Sequence, residues 1–176
     1  TLLDVGRFGS LRHFTYVASF GAFAASSYSA PQSMKNVLGH LAYVLQGAKD
    51  FFAIKPIHVK CTVKGGECYE GEYIFGGVTN TTSVGGIVKL DSTLVDMSDG
   101  EFEVVLVKTP KNMNELNTLI TACLTSNLKC DMIEFFKARE VKFELPRSVA
   151  WTLDGEEAHA VNPLITNIHK AAMLLK

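Results

Sequence analysis

The sequence lacks an excess of charge of either sign, and this absence bears on its partners. Its 17 basic and 18 acidic side chains leave a formal net charge of −1. A protein so balanced has no broad electrostatic attraction for nucleic acid or for an anionic membrane surface. We therefore expect no nucleic-acid partner, although folding can still gather basic residues into a local patch.

A secretory leader and a membrane-spanning segment are also missing from the pattern. No basic segment followed by an apolar run opens the chain, and its first residue is Thr1 rather than Met. The longest uncharged stretch, residues 14–34, has the length of a bilayer span but is rich in Ser, Ala and Gly and contains Pro31. We interpret the sequence as a truncated or processed product of a cytoplasmic protein, with part of the functional molecule missing.

Closely spaced cysteine pairs, which are typical of zinc sites, are absent. The four cysteines form two pairs, Cys61 with Cys68 and Cys123 with Cys130, and six residues separate the members of each pair. Without a secretory leader, reduced and mostly buried thiols are the simplest interpretation.

What the sequence does contain is the composition of a folded domain. Of its 176 residues, 47% are hydrophobic and 20% are charged, which is enough apolar material for one substantial core. No repeat, low-complexity tract or Pro/Ser-rich linker divides the chain. Residues 1–176 are therefore predicted to form a single domain.

Short strands dominate the predicted secondary structure. After Pro56, apolar and polar residues alternate as far as Lys64, which predicts a half-buried strand. Gly65-Gly66 predicts a tight turn to a hairpin partner at residues 68–77. Further strands are predicted at residues 14–20, 86–90, 102–107, 141–145, 150–153 and 165–168.

Three helices are predicted from apolar residues spaced three and four apart. One begins at Pro31 and ends near Phe51 or Phe52, and the others cover residues 114–124 and 132–138. The buried stripe of the second is predicted to be Met113, Leu116, Leu119, Ile120 and Cys123. Because strands outnumber helices, we predict a mainly β (α+β) fold, an antiparallel two-layer β-sandwich with a few flanking helices.

Two Asp-Gly-Glu triplets are the strongest candidates for chemistry. The first, Asp99-Gly100-Glu101, closely follows Asp96 and opens the predicted strand at residues 102–107. Carboxylates and main-chain carbonyls that crowd such a turn are hard oxygen ligands, which suit Mg²⁺ or Ca²⁺. A plain solvated turn is the alternative, since Asp-Gly is a favoured turn pair.

The second triplet is Asp154-Gly155-Glu156, which follows a predicted strand that would carry it to a rigid sheet edge. A carboxylate fixed at such an edge is suited to act as the general base of a phosphoryl transfer, where it accepts the proton of the attacking hydroxyl. An ordinary hairpin turn is again the alternative.

Five landmarks, taken in order, resemble those of a known family. They are residues 17–23, the helical segment 35–43, Asn80 with Gly85-Gly86, the Asp99-Gly100 turn before an apolar strand, and the strand-borne Asp154-Gly155-Glu156. In this order and spacing the sequence resembles the second domain of the diacylglycerol kinase and sphingosine kinase superfamily, especially its bacterial lipid kinases. The resemblance covers nearly the whole chain.

The resemblance implies a role for each turn. Glu156 matches the glutamate that acts as catalytic base on the lipid hydroxyl, whereas its neighbour Glu157 falls outside the matched triplet. Asp99 matches the side-chain ligand of a structural Mg²⁺ that braces this domain against a nucleotide-binding domain. Main-chain oxygens of Asp96 and Glu101 match the other protein ligands of that ion, with water completing its shell. A direct role for the acidic side chains at those two positions stays open.

One family feature is absent from the sequence. Nothing in it resembles the Gly-Gly-Asp-Gly-Thr motif that holds ATP, because Gly85-Gly86 lacks the Asp-Gly-Thr continuation. By the resemblance, the chain is the C-terminal β-sandwich half of a two-domain lipid kinase whose N-terminal nucleotide-binding domain is absent. We expect it to be inactive alone, because positioning the triphosphate is most of the catalytic task.

The resemblance also implies the function and the partners of the whole protein. It would use ATP and Mg²⁺ to phosphorylate the hydroxyl of diacylglycerol or a similar lipid, as a peripheral protein at the cytoplasmic face of the inner membrane. Two alternatives are a non-catalytic lipid-binding module and a kinase of a soluble substrate such as NAD. The apolar segment at residues 171–175 is expected to dock on the missing domain or to form a homodimer contact.

Overall fold

The computed structural model describes residues 2–10, 12–22, 54–84, 88–90, 93 and 95–173. The predicted helix that begins at Pro31 lies outside the described residues, as do the landmarks at residues 35–43 and 85–86. The described elements are, in chain order, β1 (Leu2–Phe8), β2 (Arg12–Phe14), β3 (Val17–Gly21), β4 (Ile57–Val63), β5 (Cys68–Thr79), β6 (Ser83–Val84), β7 (Val88–Lys89), β8 (Phe102–Lys108), α1 (Met113–Thr125), β9 (Ile133–Ala138), β10 (Glu140–Glu144), β11 (Trp151–Leu153), β12 (Glu156–Ala158) and β13 (Leu164–Met173).

Eleven of these strands form one antiparallel sheet. Along its main path the order is β12-β11-β3-β5-β4-β10-β13-β1-β2, and β8 pairs with both β5 and β9. The hairpin predicted around Gly65-Gly66 is confirmed as β4 and β5, and Val59 and Cys61 on the predicted inner face of β4 are fully buried. The strands β6 and β7 form a separate small hairpin.

The sheet curls on itself around Trp151. The ring centroid of Trp151 on β11 lies 5.1 Å from that of Phe8 on β1 and 5.2 Å from that of Phe143 on β10. Because β11 and β1 lie near opposite ends of the strand order, this contact requires the two parts of the sheet to face each other across the core. The predicted mainly β, antiparallel, sandwich-like fold is confirmed, with Trp151 fully buried in the core.

The strand β8 is buried on both faces and separates two hydrophobic clusters. Its Val104 and Leu106 side chains join the cluster around Trp151. Its Val105 and Val107 side chains join a second cluster, which the helix α1 covers. Each fully buried Val or Leu contributes roughly 1.5–3 kcal/mol relative to an exposed one. This double burial explains why β8 has an almost continuous apolar sequence rather than an alternating one.

The helix α1 confirms the second predicted helix. Asn112 caps its N-terminus, since its side chain accepts a hydrogen bond from the Glu115 N–H at 3.0 Å. Ser126 ends it in the left-handed conformation, with φ of 54°. Met113 was wrongly assigned to the inner stripe: it lies at the start of the first turn and is 48% exposed. The core-facing residues of the predicted stripe are Leu116, Leu119 and Ile120, and the half-buried Cys123 packs against the same second cluster.

The prediction of a helix at residues 132–138 is wrong, because this segment forms the strand β9. It pairs along its whole length with β8, from Phe102 opposite Ala138 to Val107 opposite Ile133. The neighbours Phe135 and Phe136 pack against opposite clusters, as the two-residue period of a strand requires. A short apolar run can form either a helix or a strand. Here the segment is a strand because it pairs with the edge of β8.

The cysteines are less buried than the sequence predicts. All four are free thiols, with Cys61 buried, Cys123 and Cys130 half-buried and Cys68 exposed. Burial, which disfavours the thiolate, raises the pKa of Cys61 to about 12 and that of Cys123 to about 11. Both thiols are therefore unreactive near neutral pH.

None of the helices in the described part of the chain has the length and apolar character needed to cross a membrane.

One carboxyl interrupts the apolar surface of β8. The Glu103 side chain is fully buried, and its Oε1 lies 3.3 Å from Lys137 Nζ on β9. Burial raises the pKa of Glu103 to about 7, although the nearby Lys137 ammonium acts in the opposite direction. Near neutral pH the folded protein therefore holds a proton at Glu103 that an unfolded chain has released.

We expect this difference to appear in the pH dependence of stability. An unfolded Glu103 loses its proton near its ordinary pKa of 4.5, while the folded protein retains it up to about 7. The folded state binds more protons between these values, so the free energy of unfolding should fall as pH rises through them, by on the order of 3 kcal/mol. Urea denaturation from pH 4 to 8 should show this fall in the wild type and a smaller fall in Glu103→Gln.

Glu144→Gln is the matched control, because Glu144 is half exposed and forms a surface ion pair with Lys142. Its unfolding free energy should follow that of the wild type. Parallel curves for the wild type and Glu103→Gln would contradict the assignment.

Candidate active site and cation-binding turn

The second Asp-Gly-Glu triplet forms a two-residue hairpin turn. Leu153 at the end of β11 pairs with Glu156 at the start of β12, which leaves Asp154 and Gly155 as the loop. Both loop residues have positive φ, 49° and 94°. This is the type I′ combination, whose twist matches the right-handed twist of the flanking strands. The turn therefore has a defined backbone geometry, which fixes the position of Glu156 at the start of β12.

The Asp154 carboxylate fixes this turn to the rest of the sheet. It accepts hydrogen bonds from the backbone N–H groups of Thr15 at 2.7 Å, Tyr16 at 2.9 Å and Val17 at 2.8 Å. The Thr15 hydroxyl donates a fourth at 3.0 Å. These bonds bend the chain at residues 15–16, so the single strand predicted at residues 14–20 is divided into β2 and β3.

Glu156 lies at the sheet edge with its carboxylate in solvent. Its side chain is 83% exposed, and its Oε2 lies 3.8 Å from the guanidinium of Arg12 on β2. Glu157 projects from the opposite face of β12, where it pairs with His159 at 3.0 Å. The two adjacent carboxylates thus have different surroundings, and Glu156 is the one beside the Asp154 turn.

The first acidic turn presents its carboxylates and carbonyls over six consecutive residues, 96–101. Gly100 has φ of 89°, in the left-handed region that favours glycine. The Asp99 carboxylate accepts a hydrogen bond from the Glu101 N–H at 2.9 Å and pairs with Lys137 Nζ at 2.8 Å. Hydrogen bonds from the Ser98 hydroxyl and N–H lower the pKa of Asp96. Asp96 therefore keeps its negative charge near neutral pH.

Lys137 is the cation that this turn already holds. Burial by itself would lower its pKa, but the hydrogen bond to Asp99, together with the Glu103 carboxyl group, outweighs this effect and raises it. The ammonium therefore remains charged beside the Asp99 carboxylate, with the Glu103 carboxyl group 3.3 Å away. It compensates part of the negative charge of the turn and would compete with a metal ion for Asp99.

Asp4 is the central residue of this region, and the sequence reasoning did not identify it. Its fully buried carboxylate accepts hydrogen bonds from the N–H groups of Gly100 and Lys170, each at 2.7 Å. Asn167 Nδ2 at 3.1 Å and His169 Nδ1 at 3.0 Å complete its surroundings. No local pattern around Asp4 could have revealed partners that lie 96 to 166 positions away.

Hydrogen bonds connect the two acidic turns. Tyr16 donates its N–H to Asp154 and accepts the Asn80 N–H on its carbonyl oxygen at 3.0 Å. Asn80 Nδ2 in turn donates to the carbonyl oxygen of Asp4 at 3.0 Å, and Asp4 accepts the Gly100 N–H. A continuous path of four hydrogen bonds therefore joins the turn that carries Glu156 to the turn that carries Asp99.

The oxygen atoms around Asp99 are suitable ligands for a hard cation. Among the residues that the structure describes, the carbonyl oxygen of Asp96 accepts a single long hydrogen bond, 3.5 Å from Asp99 N, and that of Glu101 accepts Asn167 Nδ2 at 3.3 Å. Two nearby amide oxygens, Asn80 Oδ1 and Asn167 Oδ1, are buried without a hydrogen-bond partner among the described residues. Within those residues no group of three or more His, Cys, Asp and Glu side chains is arranged to hold a metal. A cation at this turn therefore needs main-chain oxygens and water beside Asp99, which is the coordination that Mg²⁺ accepts.

Comparison with known proteins places this geometry in context. The diacylglycerol kinase of Bacillus subtilis is 29% identical over 171 residues, which are 96% of this chain and 54% of that protein. The diacylglycerol kinase of Staphylococcus saprophyticus is 26% identical over 89% of this chain and 50% of that protein. The chain thus spans about half the length of the curated relatives it matches.

A solved structure has the same fold. The crystal structure of a diacylglycerol kinase from Bacillus anthracis superimposes with a TM-score of 0.60 at 19% identity, over 97% of this chain and 52% of that one. The family model of the YegS C-terminal NAD kinase beta sandwich-like domain matches residues 17–175. These findings confirm the resemblance drawn from the sequence landmarks, and the chain belongs to the family of YegS C-terminal NAD kinase beta sandwich-like domains.

Proposed function

We propose that the chain is the C-terminal half of an ATP-dependent lipid kinase that phosphorylates the hydroxyl of diacylglycerol or a similar lipid. The observation that carries the proposal is the solvent-facing Glu156 carboxylate at the end of a rigid two-residue turn. A general base must meet its substrate from a fixed position, and the bonds of Asp154 supply that rigidity.

The relatives support the same proposal. Those named above are diacylglycerol kinases, and this chain spans about half the length of each. Their other half is the natural source of the nucleotide site, for which this sequence has no glycine-rich motif. The active site would then lie in the cleft between the two halves, with Glu156 on one wall.

In the proposed reaction Glu156 accepts the proton of the lipid hydroxyl as the hydroxyl oxygen attacks the terminal phosphate of ATP. The new phosphorus–oxygen bond forms as the bond to ADP breaks, and ADP leaves. A positioned base of this kind contributes on the order of 10² to 10⁴ in rate.

The turn at residues 96–101 would hold Mg²⁺ through the Asp99 carboxylate and the carbonyl oxygens of Asp96 and Glu101, with water in the remaining positions. When bound, the ion would supply positive charge that neutralises the turn and stiffens it beside the other half of the protein. The chain's own contribution is to keep these oxygens together, in part through the hydrogen bond that the Asp99 carboxylate accepts from the Glu101 N–H.

The membrane and the other half of the protein are the proposed partners. The lipid substrate implies peripheral contact with the cytoplasmic face of the inner membrane. The 68% exposed Met173 at the end of β13 supports docking of the apolar C-terminal segment on the nucleotide-binding half. A homodimer contact through the same segment is the other proposed use of it.

We expect Glu156→Gln to lower lipid phosphorylation by about 10² to 10⁴-fold, because the amide cannot accept the proton. The measurement is the transfer of labelled phosphate from ATP in the protein that includes its nucleotide-binding half, with a panel of lipid alcohols and NAD as acceptors. Glu157→Gln, which changes the next carboxylate on the other face of β12, is the control and should retain full turnover.

Undiminished turnover in Glu156→Gln would remove this residue from the mechanism. Turnover with NAD alone would contradict the lipid assignment in favour of a soluble substrate, and no transfer to any acceptor would favour a non-catalytic lipid-binding module.

Asp154→Ala should lower both stability and activity, because it deprives the 15–17 segment of its acceptor. Loss of hydrogen bonds to a charged group at this exposed position should cost on the order of 1–3 kcal/mol in urea denaturation. Activity should fall through a lower kcat, since Glu156 is then less well positioned. Asp131→Ala, at an exposed aspartate that has no comparable network among the described residues, should change neither quantity; equal behaviour of the two variants would contradict the role of Asp154.

Asp99→Asn should weaken binding of Mg²⁺, measured as Mn²⁺ affinity by electron paramagnetic resonance. Removal of the one side-chain ligand leaves only neutral carbonyl oxygens and water, so the affinity should fall at least about tenfold. Glu144→Gln, which removes a distant carboxylate, is the control for general charge effects. Equal affinity of Asp99→Asn and the wild type would contradict a cation site at this turn.

A further inference from the structure

Asp4 forms more hydrogen bonds than the roles proposed above for Asp99 and Glu156 explain. Its carboxylate oxygens accept from four donors, and its own N–H donates to the carbonyl oxygen of Met97 at 2.9 Å. A buried carboxylate is costly unless such donors surround it. The donors come from the acidic turn and from β13, so a single residue of β1 determines how these two segments meet.

Two of the donors belong to residues with unusual backbone conformations. Gly100 has φ of 89° and Lys170 has φ of 52°, and both direct their N–H groups at Asp4 over 2.7 Å. For lysine a left-handed conformation is unfavourable by itself. The pairing of β1 with β13 shifts register around Asp4, between Leu3 and Val5. The carboxylate therefore stabilises a bulge in β13 and the bend at Gly100 at the same time.

Two amide side chains also link Asp4 to carbonyl oxygens of the turn. Asn167 Nδ2 bridges Asp4 Oδ2 at 3.1 Å and the Glu101 carbonyl oxygen at 3.3 Å. Asn80 Nδ2 bridges the Asp4 carbonyl oxygen at 3.0 Å and the Met97 carbonyl oxygen at 3.4 Å. The backbone on both sides of Asp99 is thus held from Asp4, directly or through one amide.

We propose that Asp4 is the positioning residue of the cation-binding turn. It does not touch the cation, and it sets the cation affinity by fixing the Gly100 N–H and, through Asn167, the Glu101 carbonyl oxygen. The inference rests on the proposed cation site at Asp99. Residues outside the ligand set that orient metal ligands typically alter affinity by about 10- to 100-fold.

Both carboxylate oxygens of Asp4 are essential to this role, because each accepts a backbone N–H. An asparagine would retain one acceptor oxygen but place an NH₂ group against the N–H of either Gly100 or Lys170. Two donors would then face each other in a site closed to water, and one buried N–H would lose its acceptor. The bend at Gly100 would relax, and the carbonyl oxygens on either side would move apart.

The test measures Mn²⁺ affinity of the full 176-residue chain by electron paramagnetic resonance, without nucleotide or lipid. Asp4→Asn should bind about tenfold more weakly than the wild type, or more weakly still. Leu119→Ala separates positioning from general destabilisation, because it opens a cavity in the second hydrophobic cluster under α1. This variant should lose stability and keep the wild-type affinity.

Asn167→Ala gives an independent measurement if Asp4→Asn does not fold. It removes the bridge to the Glu101 carbonyl oxygen and should weaken binding by about three- to tenfold. Unchanged affinity in a folded Asp4→Asn or in Asn167→Ala would overturn the inference, as would an equal loss in Leu119→Ala. Absence of Mn²⁺ binding by the wild type would overturn the cation site itself, whereas the assignment of Glu156 is decided separately by the phosphoryl-transfer assay.

Discussion

Acceptance of backbone N–H groups by single carboxylates is the interaction on which both candidate sites depend. Asp154 accepts three consecutive N–H groups from residues 15–17, and Asp4 accepts those of Gly100 and Lys170. Each bond joins segments that are far apart in the sequence, so the turns owe their shape to the folded sheet. An aspartate that looks like a candidate ligand or base can instead be the residue that positions another.

The hydrogen-bond path through Tyr16 and Asn80 gives the two turns a common frame. It runs from the Asp154 carboxylate through the backbone of Tyr16 and the buried side chain of Asn80 to the carbonyl oxygen of Asp4. A cation held at Asp99 and a base at Glu156 would therefore keep a fixed relation while a second half of the protein closes over them. Rigid positioning of this kind is what phosphoryl transfer demands, because little other chemistry is left for the protein to perform.

The sequence pattern predicted the elements whose structure is determined by residues close together in the chain. The alternation after Pro56 gave the β4–β5 hairpin, and the apolar spacing gave α1. The helix predicted at residues 132–138 is wrong because pairing with β8 makes this segment the strand β9. That partner strand lies 25 or more positions away, so the local pattern could not reveal it. Asp4 and the acceptor role of Asp154 were missed for the same reason. The two triplets were found from the sequence, because Asp-Gly is a favoured residue pair in tight turns.

The kinase assignment is tested most directly by the position of Glu156 relative to bound nucleotide. This position can be measured in a crystal structure of the protein, including its nucleotide-binding half, with a non-hydrolysable ATP analogue. We predict that the Glu156 carboxylate faces the terminal phosphate across the cleft, with room for one hydroxyl group between them. A carboxylate that points away from the nucleotide, or lies buried beneath the sheet, would contradict the assignment.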